Sequence, residues 1–328
     1  MSEQAIVADV GRTALRIGIT DATCSLVSES VRTLSPEAEP TVSGAISGLA
    51  REHGLVGGRI PLAIAVSGMP RGDMISVTNG RWRISRPGLT AMLQREPLIL
   101  NDFAANAWAI SDRRDHFLEC LCGGQLDPQR PGTYCIIGIG SGLGVALMAR
   151  DASGRVTVMP TEAGHCAYPS GLLEVMAGAS ALRATGGFTS AESILSAGGL
   201  LAAYTATAVS AGAKPSTSDP KEVIRRAIGA VDEHAVVALR TWCSALWYFA
   251  GNMTLAYGAL DGVILTGSVS ASLKKMLARE ELARHFVVPG PYQKQLAMVP
   301  RALSTLLHPE LAGAAVALRT SLTAHEVR

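Results

Sequence analysis

Residues 5–19 read AIVADVGRTALRIGI and residues 134–150 read YCIIGIGSGLGVALMAR, and the two stretches follow one plan. Each is an apolar run, a turn built on glycine and a second apolar run, which is the composition of a buried hairpin. In the first, Leu15, Ile17 and Ile19 alternate at strand period after the short run that ends in Asp9, Val10 and Gly11. Aligning the turns sets Gly11 on Gly140 and Asp9 on Gly138. Self-similarity of this kind predicts two domains built on one topology, with equivalent loops facing each other across a cleft.

Working outward, Leu26 to Leu34 has the character of a third strand and Thr41 to His53 has helical spacing. RIPLAIAVSG (59–68) and PLILND (97–102) are apolar runs bounded by turn residues and predict buried strands. Beyond the second hairpin, Gly171 to Leu182 and Ala191 to Ala211 look helical, and Thr217 to Tyr257 holds two long helices that begin near Asp219. DGVILTGS (261–268) predicts a strand, a turn and a helix, and Leu311 to Leu322 a terminal apolar helix that packs back on the first domain. Strands alternating with helices predict a mixed α/β fold. The expected domains are a small one of residues 1–112, completed by 303–328, and a large one of 113–302.

Composition narrows the partners. The chain has 328 residues, a formal net charge of +2 and only 17% charged residues, with Lys and Arg scattered along it. That provides no electrostatic footprint for nucleic acid, and a small neutral partner fits better. Six cysteines, at 24, 120, 122, 135, 166 and 243, have neither the spacing of a zinc site nor the density of a disulfide scaffold, and read as reduced thiols in cytoplasm. MSEQAIVADV lacks the basic-then-apolar pattern of a secretory signal. Cys135 to Ala149 falls short of the roughly 20 residues that span a bilayer, so no membrane partner is expected.

Four stretches carry candidate chemistry. In DVGRT (9–13) an acid at a strand end precedes a glycine turn, an arrangement that can hold hydrated magnesium while backbone N–H groups approach phosphate. An ordinary hairpin with a solvated Asp9 explains the same residues. In GIGSGLG (138–144) glycines at 138, 140, 142 and 144 permit positive φ and the close approach that cradling phosphate requires, or serve close packing alone. It is not a dinucleotide fingerprint, because Leu143 stands where that pattern needs glycine. PLILNDFAANAWAI (97–110) delivers Asn101 and Asp102 to the C-terminal end of a strand, where Asp102 either accepts a proton from a substrate hydroxyl or caps the following helix. In MPTEAGH (159–165), Pro160 and Gly164 argue for a loop, where Glu162 with His165 presents an acceptor and a donor-acceptor suited to sugar hydroxyls, or where His165 is incidental.

Taken in order, DVGRT, VTNGRW (77–82), ILNDF (99–103), GIGSGLGVA (138–146), MPTEAGH, SAESILSAGGL (190–200) and GVILTGS (262–268) resemble the bacterial glucokinase family of the hexokinase and actin-like ATPase superfamily. The resemblance spans nearly the whole chain and is strongest to the glucokinases without the zinc-binding cysteine cluster of repressor-type sugar kinases. It implies a two-domain actin-like ATPase (ribonuclease H-like) fold with an interdomain cleft. It also implies ATP-dependent phosphorylation of the 6-hydroxyl of glucose, with magnesium, in the glycolysis of the cytoplasm, by a homodimer.

Residue by residue, the resemblance implies that Asp102 is the general base, that Asn101, Glu162, His165 and Glu192 hold sugar hydroxyls, and that Asn79 sits nearby. Asp9, Val10, Gly11, Arg12, Thr13, Gly138, Gly140, Ser141 and Gly142 would hold phosphate and magnesium, the metal meeting Asp9 through water, and Gly267 would lie near adenosine. Three departures stand out: Arg12 and Ala14 where the family has glycine and a polar residue, Ser268 for the second glycine of the adenosine-side pair, and Ala163 for a glycine beside Glu162. Arg12 either strains the turn and fills nucleotide space or donates to phosphate as a bidentate guanidinium. A sugar-binding protein without catalysis, descended from a kinase, and a kinase for another hexose are the alternatives.

Overall fold

The computed structural model describes residues 4–55, 58–78, 80–112, 117–168 and 190–326. The chain divides into two units, Met1–Arg113 with Leu306–Arg328, and Arg114–Thr305.

The first unit is a five-stranded sheet of order β3-β2-β1-β4-β7. Strand β1 (Ile6–Val10) runs antiparallel to β2 (Leu15–Ile19) and parallel to β4 (Leu62–Val66), which in turn pairs in parallel with β7 (Leu98–Asn101). Both faces of β1 are covered, which is why its residues are apolar on both faces except at Asp9. Ile6, Ala8 and Val10 pack with Val42, Ile46 and Leu49 of helix α1 (Val42–Glu52), whereas Ala5 and Val7 pack with Leu311, Ala314 and Leu318 of the C-terminal helix (Pro309–Glu326). Asp9 therefore shares the face of the C-terminal helix.

Thr41 caps α1, its hydroxyl accepting from the Gly44 N–H at 3.1 Å. The strand expected over Leu26 to Leu34 is limited to β3 (Arg32–Leu34). A 3-10 turn, Ser28–Ser30, precedes it because the Ser30 hydroxyl accepts the Ile19 N–H at 2.9 Å and donates to Val27 O at 2.6 Å, replacing ladder bonds there. Strands β5 (Met74–Ser76) and β6 (Arg83–Ser85) form a separate ribbon ahead of α2 (Arg86–Leu93). Helix α3 (Asp102–Asp112) is alanine-rich where the C-terminal helix crosses it. A Cβ on Gly313 would lie 1.6 Å from Ala105 O, so only glycine admits that approach.

The second unit repeats the order in a six-stranded sheet, β11-β10-β9-β12-β13-β8. Here β9 (Gly132–Ile139) is antiparallel to β10 (Leu143–Arg150) and parallel to β12 (Gly262–Thr266), as β1 is to β2 and β4. Strands β11 (Val156–Thr161) and β13 (Arg301–Ser304) extend the two sides, and β8 (Leu118–Cys122) adds an antiparallel edge with no counterpart in the first unit. The helical stretch expected over Ala191 to Ala211 is broken into α4 (Ala191–Leu195) and α5 (Ala197–Ser210). Ser196 leaves helical geometry at φ −104° and ψ 173°, and its hydroxyl caps α5 by accepting the Gly199 N–H at 3.2 Å. Asp219 and Asp232 likewise cap α6 (Pro220–Ile228) and α7 (Glu233–Tyr257). Helix α7 anchors the core with Trp242, Trp247 and Phe249, and both indole N–H groups donate to backbone carbonyls. The helix expected over Gly171 to Leu182 lies outside the described residues.

Candidate active-site residues

In the first unit the loop between β1 and β2 closes through a hydrogen bond from the Gly11 N–H to Ala14 O at 3.0 Å. The backbone N–H groups of Arg12 and Thr13 donate to no other group among the described residues, so both are free for an anion. Arg12 is exposed and is absent from the residues with positive φ. Arginine is accommodated there without backbone strain. Val10 contributes its carbonyl, which accepts the Ser67 N–H at 3.2 Å and ties the loop to the end of β4.

Asp9 is 3% exposed and pairs across the hairpin with Arg16. Arg16 Nε donates to Asp9 Oδ2 at 2.8 Å and a terminal guanidinium nitrogen lies 2.5 Å from the same oxygen. That nitrogen also lies 3.4 Å from Glu310 Oε2 on the C-terminal helix. Burial first, and then the Glu310 and Asp102 carboxylates, push the Asp9 carboxyl up to about 8 against the pull of Arg16. Asp9 and Glu310 share one guanidinium with the Asp102 carboxylate nearby, so acidic groups outnumber the cation in this cluster. Among the described residues no group of three His, Cys, Asp or Glu side chains forms a ready metal-ligand set. The donor chemistry suits a hydrated divalent cation held at Asp9, which supplies the missing positive charge.

Asn101 and Asp102 stand at the junction of β7 and α3, and the cap belongs to Asn101. Its Oδ1 accepts the N–H groups of Phe103 and Ala104, both at 3.0 Å. Its amide donates to Gly68 O and to Asp102 Oδ1, both at 3.1 Å. In this conformation the Asn101 amide is wholly engaged, and a hydroxyl reaches it only by taking over one of those bonds.

Asp102, the first residue of the helix, is aimed by three donors. Phe103 N–H and the Asn101 amide meet Oδ1, and the Ser67 hydroxyl meets Oδ2 at 2.7 Å. The Ser67–Gly68 turn is pinned in place: Thr78 N–H donates to Ser67 O at 3.0 Å, and a Cβ on Gly68, at φ +119°, would lie 2.5 Å from the Thr78 hydroxyl. Asn79 lies outside the described residues.

In the second unit the corresponding loop closes from the Gly140 N–H to Gly142 O at 3.0 Å, again leaving two amides, those of Ser141 and Gly142, without a partner among the described residues. The four glycines at 138, 140, 142 and 144 do not adopt positive φ. What Gly142 provides is room. A Cβ on Gly142 would lie 2.6 Å from Glu192 Oε2, and that oxygen accepts the Leu143 N–H at 3.0 Å. Gly164 presses on Leu143 from the other side, where a Cβ would come within 2.0 Å of Leu143 O.

Glu162 precedes and His165 ends a single 3-10 turn, Ala163–His165, in the loop expected there. Both are exposed, with His165 Nε2 3.7 Å from Glu162 Oε2. Glu192, Glu162 and His165 are thus gathered around Leu143. The first N–H of α5, from Ala197, donates to Gly140 O at 3.0 Å and steadies the loop. Gly267, at φ +95°, packs so tightly on β9 that a Cβ would lie 2.3 Å from Ile139 O. Ser268 begins the helix Ser268–Ser272, and Ala163 is buried.

A model of the glucokinase family matches residues 6–321. The chain belongs to the glucokinase family. It is similar to a glucokinase of Stenotrophomonas maltophilia (strain K279a), at 32% identity, over 96% of this chain and 94% of that one. Two solved structures share its fold. A glucokinase from an Antarctic psychrotroph superposes with a TM-score of 0.81 at 24% identity, covering 98% of this chain and all of that one. A glucokinase from Balamuthia mandrillaris, solved with glucose, superposes with a TM-score of 0.79 at 19% identity, covering 97% and 94%. The doubled sheet is the ribonuclease H-like arrangement of actin-like ATPases.

Three residues around these clusters escape sequence reading. Ser67 follows a strand as any turn serine would, and Glu310 lies far along the chain from the carboxylate it faces. Arg16 alone left a signal: it is a charged residue inside an alternating apolar strand, directly opposite Asp9. No helix among the described residues is long and apolar enough to cross a membrane.

Proposed function

We propose that this chain is an ATP:hexose 6-phosphotransferase that moves the γ-phosphate of ATP onto the 6-hydroxyl of D-glucose, giving glucose 6-phosphate for glycolysis. The observation that carries the reading is Asp102, a carboxylate at the C-terminal end of a parallel strand, aimed by Ser67 and two N–H donors in a chain of the glucokinase family. Asp102 accepts the proton of the 6-hydroxyl as its oxygen attacks the γ-phosphorus and the bond to the β-phosphate oxygen breaks. Glu162, His165 and Glu192, with Asn79 and Asn101, hold the other hydroxyls. The free amides of Arg12, Thr13, Ser141 and Gly142, in loops completed by Val10, Gly11, Gly138 and Gly140, meet the phosphates, and Gly267, packed on β9, lies near adenosine. Magnesium arriving with ATP fits the charge-deficient cluster at Asp9 and, when bound, offsets charge on the phosphates. The small domain (1–112 with 303–328) and the large domain (113–302) close on the sugar and exclude water. The enzyme works in the cytoplasm as a homodimer.

Arg12 favours catalysis over mere sugar binding. It is exposed and unstrained, with its guanidinium available to phosphate. The test is coupled ADP formation with magnesium against a panel of hexoses, beside calorimetric binding of glucose without nucleotide. Glucose-dependent turnover is expected. Glucose binding without turnover marks a sugar-binding descendant, and turnover with another hexose alone changes the substrate.

A further inference from the structure

The C-terminal helix brings a charge to the phosphate loop that the proposed chemistry does not by itself require. Glu310 sits in the first turn of that helix, its position fixed where Gly313 lets the helix lie against Ala105 of α3. One carboxylate oxygen is 3.4 Å from the Arg16 guanidinium, and the other is 3.4 Å from the Asn106 amide, which also donates to Asp102 O at 3.0 Å. Glu310 therefore joins two things: the arginine that clamps Asp9, and the first turn of the helix that carries Asp102.

The consequence lies in how Arg16 divides its charge. Both of its short contacts go to Asp9 Oδ2, and among the described contacts Asp9 Oδ1 takes none. With no second carboxylate, the whole guanidinium charge would neutralise Asp9 and compete with an arriving cation. Glu310 draws part of that charge away and adds one of its own, so the cluster remains negative toward the loop. We propose that Glu310 is a positioning residue for the magnesium nucleotide: through Arg16 it keeps Asp9 aimed, and its own charge keeps the cluster negative toward the loop. This rests on the kinase reading above, and it concerns the nucleotide side of the reaction alone.

The test is calorimetric titration of magnesium–ADP, and separately of glucose, into the native protein and the Glu310→Gln and Glu310→Asp variants. Gln keeps the shape and removes the charge. Magnesium–ADP is expected to bind Glu310→Gln roughly fivefold more weakly, with Glu310→Asp recovering most of the loss and glucose affinity unchanged in both. Nucleotide affinity in Glu310→Gln within twofold of native overturns the proposal and leaves the kinase reading standing. Equal weakening of glucose and nucleotide also overturns it, because that is what a merely structural role produces. A native protein that binds glucose but no magnesium–ADP removes the kinase reading, and the proposal with it.

Discussion

The two hairpins are built alike and held differently. Each has an apolar strand flanked by an antiparallel and a parallel neighbour, and each closes its loop while leaving two amides free. The loop of the first unit is organised by charge: Asp9, Arg16 and Glu310 surround its base, and the exposed loop residues touch little else. The loop of the second unit is organised by close approach. Gly142, Gly164 and Gly267 remove side chains so that Glu192, the 3-10 turn and the start of α8 (Ser268–Ser272) can press on the hairpin. One topology holds a loop with two free amides by electrostatics in one unit and by packing in the other.

The comparison breaks first at Gly164. A methyl group there meets the Leu143 carbonyl at 2.0 Å, and backbone cannot swing aside, so Gly164→Ala is expected to cost about 3 kcal/mol in urea unfolding. Gly140→Ala, where the new carbon meets open space, is expected to stay within about 0.5 kcal/mol of native. Equal costs would dissolve the claim that packing organises the second loop.

The charge-organised loop answers to pH instead. In magnesium-free buffer the folded protein retains on Asp9, up to about 8, a proton that the unfolded chain releases above its ordinary value of 3.8. Stability contributed by that proton is present below the ordinary value and is lost as pH rises through the window to about 8. Urea midpoints are therefore expected to fall from about pH 5 to about pH 8, and Asp9→Asn should flatten the decline. A native midpoint that rises across this range contradicts the assignment.

Two smaller effects sharpen the contrast. Gly142→Ala displaces the far end of a side chain, so glucose affinity should fall roughly fivefold in calorimetry with little loss of stability, since the half-buried Glu192 acceptor is moved off its partner. Arg12→Gly should weaken ATP binding about threefold, the share of one exposed charge-assisted contact. Tighter ATP binding in that variant would make Arg12 an obstruction.

The strands of both hairpins, α1, and the junction of β7 with α3 were legible because apolar period and capping chemistry act within a few residues. The glycines of 138–144 were legible as points of close approach or close packing, though none adopts the positive φ that glycine permits. Positive φ is a local property, whereas the space Gly142 leaves is filled by Glu192 from a distant segment. The break at Ser196 was hidden, since alanine and glycine on both sides suit an uninterrupted helix and only the cap decides. The Asp9–Arg16–Glu310 cluster was half visible: cross-strand pairing places Arg16, but only the return of the C-terminal helix supplies Glu310.

The most direct measurement is turnover of Asp102→Asn beside its glucose affinity. Asn keeps the hydrogen-bonded shape at the end of β7 but cannot accept the proton of the 6-hydroxyl, so kcat is expected to fall by two to four orders of magnitude, to about 10⁻²–10⁻⁴ of native, while glucose binds nearly as before. Near-native turnover in Asp102→Asn would contradict the assignment of Asp102 as the base and, with it, the chemistry proposed for this site.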